Sequence, residues 1–277
     1  MMEIDVREII DTDRERCVWI EKAALPNVIY IDDVWEYFTS KADGVFLAVE
    51  KAHELGGFGK LTRLFADVGW LETIRIHPDY QGQGLGNALY KEYLVKAREL
   101  GFKKLGLYTE AWNVRSENLA KKYGFIKKGN FADYRKDVDQ NRSHEGSFKA
   151  IENNAEAIIS KHYERMNEFC IINKTFFPAI PGLGWELSKR KWAFTDDHGN
   201  LVIVGYRMQP QKTLFLAYYD GDIHEILNFV NHLGKQLGSA AISCIRNIAE
   251  QELIKELSDH GFKWTEQFMT LWRDMEN

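Results

Sequence analysis

Apolar and polar positions along the 277-residue chain repeat with two different periods, and each change of period marks an element. Val45-Phe46-Leu47-Ala48-Val49 is an unbroken apolar run of strand length, and Gly56-Gly57-Phe58-Gly59 supplies turn residues after it. Residues 70–76 read as a further strand, ended by His77-Pro78 because proline cannot donate to a sheet ladder. Beyond Gly84 the period lengthens. Tyr90, Tyr93, Leu94 and Ala97 fall at i, i+3, i+4 and i+7, the apolar stripe of a helix that stops at Gly101. A strand is expected over 104–109 and a helix from Asn113 to Tyr123, with Gly124 as its stop. Strands over 125–128 and 131–138 complete the series. This order predicts an α/β arrangement with mixed strand directions.

The carboxyl-terminal half repeats the same order. Leu100-Gly101 is echoed by Leu237-Gly238, Gly124-Phe125 by Gly261-Phe262, Phe131 by Phe268 and Lys136-Asp137 by Arg273-Asp274, at a constant offset of 137 (237 − 100). A fixed, ungapped register of about half the chain length points to a duplication, two similar domains over 1–138 and 139–277. Two unrelated segments that end alike are the alternative. The polar stretch from Asp139 to 147 has linker composition.

Composition narrows the classes. A chain that is 45% hydrophobic and 28% charged is globular, and a net charge of -5 argues against a broad nucleic-acid footprint. Cys17, Cys170 and Cys244 are too far apart for a metal or disulfide motif and read as buried free thiols, so no metal is expected. The first residues carry no basic region followed by an apolar run, and no stretch reaches the roughly 18 apolar residues of a membrane span. A cytoplasmic protein without membrane or nucleic-acid partners is therefore expected. Without secretion, the glycosylation-type triplet Asn173-Lys174-Thr175 is coincidental.

Candidate chemistry concentrates at Gln81-Gly82-Gln83-Gly84-Leu85-Gly86, where a strand ends and a helix begins. Such a junction offers unpaired amides and the positive end of a helix dipole to an anion, and glycines let the backbone close on phosphate. A dinucleotide fingerprint fails, because Leu89 stands where its third glycine belongs. A Walker loop ending at Gly59-Lys60 fails as well, with Leu61 in place of Ser or Thr and Glu54 in place of the first glycine.

The run Ile76-x-Pro78-x-Tyr80-Gln81-Gly82-x-Gly84-x-Gly86, followed by Asn113-x-x-Ser116-x-x-Leu119 and Gly124-Phe125, resembles the GNAT superfamily of acyl-CoA N-acyltransferases. The resemblance spans most of residues 1–138 and implies two GNAT-like α/β (α+β) domains, each a mixed, mainly antiparallel sheet flanked by helices. It implies acetyl-CoA as co-substrate, its pyrophosphate held by the amides from Gln81 through Gly86 to Asn87. Main-chain groups of Ile74 and Ile76 would pair with the pantetheine arm as an added strand would, and Asn113 and Ser116 would border that arm. Asn113 also suits a helix N-cap.

Direct transfer to a primary amine in a ternary complex, usual in this family, needs a base but no nucleophile. Glu72 is the candidate base. Strand alternation puts it on the face of Ile74 and Ile76, where desolvation would raise a carboxylate pKa, unless a bulge changes the parity or the side chain pairs with Arg75. Ala120 stands where relatives carry a tyrosine acid; Tyr123, one turn on, is the substitute candidate, or a packing residue. An acyl-CoA-binding sensor with little catalysis is the alternative function. At the same offset, Tyr218-Tyr219-Asp220-Gly221-Asp222-Ile223 falls opposite Gln81 to Gly86 and Glu250 opposite Asn113, so the second copy reads as degenerate. Its segment from Phe176 to Trp185 is a lid or an entry to the second sheet, residues 23–38 are expected to contact the acceptor amine, and a monomer or homodimer is expected.

Overall fold

The computed structural model describes residues 3–26, 28–40, 44–141, 148–209 and 212–275. The chain forms two compact units, Met1–Lys128 with Thr270–Asn277, and Gly129–Met269. The division therefore falls at Lys128 rather than Val138, and the last residues of the chain belong to the first unit. Part of the expected linker, 142–147, lies outside the described residues.

The first unit runs β1 (Ile4–Glu8), α1 (Arg14–Ala24), α2 (Trp35–Thr39), β2 (Gly44–Lys51), β3 (Glu54–Phe65), β4 (Val68–Ile76), α3 (Leu85–Glu99), β5 (Lys104–Glu110) and α4 (Val114–Lys122). Strands β1 to β4 are antiparallel neighbours in chain order, and β5 joins β4 in parallel. On the far side of β5 lies the end of β14 (Lys263–Asp274), where Thr270 Oγ1 donates to the Leu107 carbonyl at 2.9 Å and the Met275 amide to that of Lys103 at 2.8 Å. Gly106 makes room there, since a Cβ on it would stand 2.6 Å from the Trp272 ring.

The glycines 56 to 59 do not form the turn that their composition suggests. They lie inside β3, while the β2–β3 turn is made by Ala52 and His53, both at positive φ. Close packing on the sheet explains them: a Cβ on Gly56 would sit 2.7 Å from Leu85, and one on Gly59 would meet the Tyr93 hydroxyl. Helix α3 buries Tyr90, Tyr93 and Ala97 of the expected stripe, while Leu94 is only half-buried and Leu85 and Leu89 join the buried face. The two short strands expected after Gly124 are one strand, β6 (Ile126–Asp137).

The second unit contains β7 (Lys149–Ala150), α5 (Ala155–Ile159), the two-stranded β8 (Phe169–Ile172) and β9 (Thr175–Pro178), α6 (Leu183–Lys189), β10 (Ala193–Thr195) and β11 (Leu201–Gly205). It continues with β12 (Thr213–Asp220), α7 (Ile223–Gln236), β13 (Ala241–Asn247) and α8 (Gln251–Asp259). Its sheet has the order β6-β13-β12-β11-β10-β7, and only the β12–β13 pair is parallel. Apart from the β8–β9 ribbon, every element answers to one of the first repeat in the same order. Of the segment from Phe176 to Trp185, Phe176 and Phe177 are wholly buried on β9, which favours the entry to the second unit over a lid, while Trp185 is exposed.

The offset of 137 holds from β5 and β13 (241 − 104) to the ends of β6 and β14 (274 − 137). It fails earlier. Val68, opposite Lys104 at the start of the parallel pair, answers to Thr213 opposite Ala241, an offset of 145 (213 − 68). Tyr218 to Asp220 therefore end strand β12 rather than lying opposite the glycine loop, and only Gly221 and Asp222 connect β12 to α7. The connection from β12 to α7 is thus shorter than that from β4 to α3 and holds no counterpart of the glycine loop.

Candidate functional site

The segment from His77 to Gly84 begins where β4 ends. His77 lies flat on Trp19, ring centroids 3.9 Å apart at 9°, with the Arg16 guanidinium 4.0 Å from the Trp19 ring on α1. Pro78 opens a single 3-10 turn to Tyr80, and the chain then passes through Gly82 (φ 76°) and Gly84 (φ 96°), left-handed conformations that glycine adopts without strain. Gly84 is the N-cap of α3 and supplies no side-chain cap. Among the described residues, the amides of Gly82 through Asn87 donate to no protein group, and a Cβ on Gly82 would meet nothing within 4 Å. The result is a row of outward amides at a helix N-terminus, suited to a pyrophosphate.

Side chains brace this row and add positive charge. Gln81 donates to the Ile76 carbonyl at 3.0 Å and accepts from Arg115 at 2.6 Å. Gln83 donates to the Asp79 carbonyl and accepts from Lys51. Asn87 accepts from Lys122 at 2.6 Å, and the Tyr123 hydroxyl donates to the Asn87 carbonyl at 2.9 Å. Lys51, Arg115 and Lys122 thus ring the loop, and single-sequence reading had no signal for them, since they come from β2 and α4. Asn113 caps α4 through its side-chain oxygen, 3.0 Å from the Ser116 amide. Tyr123 stacks on Tyr90 with centroids 5.1 Å apart, and burial raises its phenol pKa. Ala120 is wholly buried.

Strands β4 and β5 pair only over Val68–Leu71 with Lys104–Leu107 and then part. From Glu72 to Ile76, β4 keeps β3 on one edge and pairs with no strand on the other among the described residues. Ile74 and Ile76 lie on this open stretch, their carbonyls accepting from Arg75 Nη1 (3.1 Å) and Gln81 Nε2 (3.0 Å). A carbonyl has two lone pairs, so these contacts leave capacity for another donor.

The register corrects the placement of Glu72. Lys60 faces Glu72 and Phe58 faces Arg75, so two steps on β3 match three on β4, a bulge centred on Thr73 at φ 57°. The extra residue flips parity: Glu72 shares a face with Arg75, whereas Ile74 and Ile76 are on the α3 side, where Ile74 and Tyr93 crowd Gly59. Glu72 lies on the face covered by α1 and α2, where Phe38, Phe46 and Phe58 pack edge to face. It is 8% exposed and accepts from the Thr62 hydroxyl.

Around Glu72 the fold gathers residues that the sequence did not single out. The Tyr30 hydroxyl lies 2.6 Å from Thr73 Oγ1 on the bulge, and its pKa is pushed up to about 12 by burial, with Arg75 opposing. Glu21, wholly buried on α1, accepts the Tyr30 and Ile31 amides at 2.9 and 2.8 Å and so pins the loop between α1 and α2 against β4. Arg75 approaches Glu21 to 3.9 Å. The only hint was that Tyr30 falls within 23–38. Burial raises the thiol pKa of all three cysteines, Cys170 to about 12 and Cys244 to about 11, which suppresses the nucleophilic thiolate. Among the described residues, no three His, Cys, Asp or Glu side chains are placed to hold a metal ion.

In the second unit the α7 N-terminus is already filled. Asp222 accepts the His224 and Glu225 amides at 2.8 and 3.3 Å, so its own carboxylate occupies the place of an external anion.

A family model described as the acetyltransferase (GNAT) family matches residues 11–125. A mycothiol acetyltransferase from Actinosynnema mirum is 36% identical over 84 residues, 30% of this chain and 28% of the relative, so the match spans under a third of that protein's length. Two solved structures share the fold across 99% of the chain. One is a GCN5-related N-acetyltransferase from Sphaerobacter thermophilus (13% identity, 96% of its chain, TM-score 0.62). The other is a tandem GNAT protein from the clavulanic acid biosynthesis pathway (12% identity, 99% of its chain, TM-score 0.59).

Proposed function

We propose that this chain, which matches the acetyltransferase (GNAT) family model over residues 11–125, transfers an acetyl group from acetyl-CoA to a primary amine by direct attack in a ternary complex. The observation that carries the reading is the row of undonated amides from Gly82 to Asn87 at the α3 N-terminus, beside the open edge of β4. These amides hold the pyrophosphate, with Lys51, Arg115 and Lys122 adding charge at the rim. Main-chain groups of Ile74 and Ile76 hold the amide-bearing arm as a missing strand would. Bound acetyl-CoA supplies the thioester.

Glu72 takes the proton that the amine nitrogen loses as its bond to the acetyl carbon forms, directly or through one water. Thr62 orients the Glu72 carboxylate by donating to it. Tyr30 and Arg75 line the acceptor side and bear on amine selection. The carbon–sulfur bond breaks with departure of the thiolate, a weak enough base to leave without a dedicated acid. Ala120 is apolar, and Tyr123 acts as a brace for Asn87.

A second reading, binding of acyl-CoA without turnover, draws on that missing acid. The two separate on release of free coenzyme A with a panel of amines, for wild type and Glu72→Gln. Amine-dependent release that falls in the variant supports transfer. Tight acetyl-CoA binding with no release on any amine supports the sensor.

A further inference from the structure

The second unit has a pocket of its own, about 310 Å³, at the lower end of the roughly 300–1,000 Å³ usual for small-molecule sites. It opens where β12 and β13 separate. These strands pair only over Thr213–Phe215 with Ala241–Ser243, and past that point Ala217 to Asp220 and Ile245–Arg246 line the gap. The second unit thus has a forked sheet without a glycine loop.

Arg246 is the unusual group here. It is 8% exposed, its Nη1 donates to the carbonyls of Ala217 (2.8 Å) and Ile245 (3.3 Å), and its Nε has no partner. Among the described residues it forms no ion pair. Buried charges are ordinarily paired, and an arginine has five N–H groups to satisfy. With Nη1 committed to main chain and Nε sealed from solvent, Nη2 is the donor left for a ligand in the pocket, and a carboxylate there would make a charge-assisted hydrogen bond.

The acids of the pocket are otherwise engaged. Asp220 pairs with Arg165 at 2.5 Å and His162 at 3.2 Å, and Glu250 accepts the Asn247 amide at 2.9 Å. Two arginines and two carboxylates cancel in the lining, so it tolerates one added negative charge better than several. Phe131, Phe169 and Leu253 form an apolar wall. We propose that the second unit binds an organic monocarboxylate, held by Nη2 of Arg246, with its apolar body against Phe131, Phe169 and Leu253. This site is independent of the acyl-CoA reading of the first unit.

Calorimetric titration of the full chain with hexanoate, phenylacetate, neutral phenylacetamide and inorganic phosphate tests it. Saturable binding of at least one carboxylate is expected, without binding of the amide or phosphate. Binding should survive Gly84→Asp and weaken about 30-fold or more in Arg246→Met. No binding of either carboxylate, equal binding of amide or phosphate, or unchanged affinity in Arg246→Met overturns the proposal. Should Arg246→Met fail to fold, Leu253→Trp, which fills the pocket, must abolish binding; unchanged binding there overturns it equally.

Discussion

Gly84 and Glu72 allow binding and chemistry to be separated at single residues. Gly84 sits at φ 96°, and a Cβ there would approach only Ile4, at 3.4 Å. Gly84→Asp is therefore expected to cost about 1 kcal/mol of stability, from backbone conformation. It should nevertheless abolish coenzyme A binding, because it sets a carboxylate among the amides proposed to hold the pyrophosphate. Equilibrium dialysis with coenzyme A, alongside denaturant melts, checks both parts; retained affinity defeats the loop assignment. Glu72→Gln is expected to lower kcat about 100-fold or more while leaving coenzyme A affinity unchanged, since the loop and this carboxylate are on different elements. A fall in affinity with kcat preserved would make Glu72 structural.

Two junctions in the first unit carry measurable energies at the scale of elements. Arg7 on β1 donates to Asp13 at 2.7 and 2.9 Å, and the Ile10 amide donates to the same carboxylate at 2.9 Å. Burial raises the Asp13 pKa, but these bonds outweigh it and hold the carboxyl below its usual value. The folded pKa is the lower one, so this contribution is present above the unfolded value of about 3.9 and is lost as pH falls through the folded value. Asp13→Asn should thus cost about 1–2 kcal/mol at pH 7 and progressively less in acid, measured by denaturant unfolding across pH. A gap that is constant with pH would contradict the assignment. At the other junction, Gly106→Ala sets a methyl 2.6 Å from the Trp272 ring and should destabilise by about 1–3 kcal/mol. Relief by Trp272→Phe in a double-mutant cycle would confirm the clash, and simple additivity would refute it.

Across the whole molecule, sequence repeats and compact units do not coincide. The first repeat ends with β6, whose residues from Gly129 onward belong to the second unit, while Thr270–Asn277 belong to the first. A fragment of residues 1–138 lacks the segment that lies against β5 and bonds to Leu107 and Lys103. It should aggregate or melt well below the full chain, its β5 edge bare. Residues 1–128 joined by a flexible linker to 270–277 should fold and bind coenzyme A. Equal stability of the two fragments, compared by circular dichroism, would count against the division.

Local chemistry made much of this protein legible in its sequence. The glycine loop, the α3 stripe, the Asn113 cap and the duplicated order of elements each rest on residues close together in the chain, where spacing fixes geometry. Tertiary structure decided what depends on partners remote in sequence. Gly56, Gly57 and Gly59 read as a turn, yet they lie in β3, where Leu85, Ile76 and Tyr93 pack close against them. Glu72 lies on the α1–α2 face because one residue too many at Thr73 reverses the alternation, and a single register shift leaves no periodic trace. The second repeat differs from the first in the length of the connection before α7, which an ungapped offset cannot register. Tyr30, Glu21 and the cations around the loop meet only when the chain folds. Period and spacing record what a residue does with its neighbours in the chain; register, bulges and long-range pairs are settled by packing, and those determine which face of the sheet the candidate base occupies.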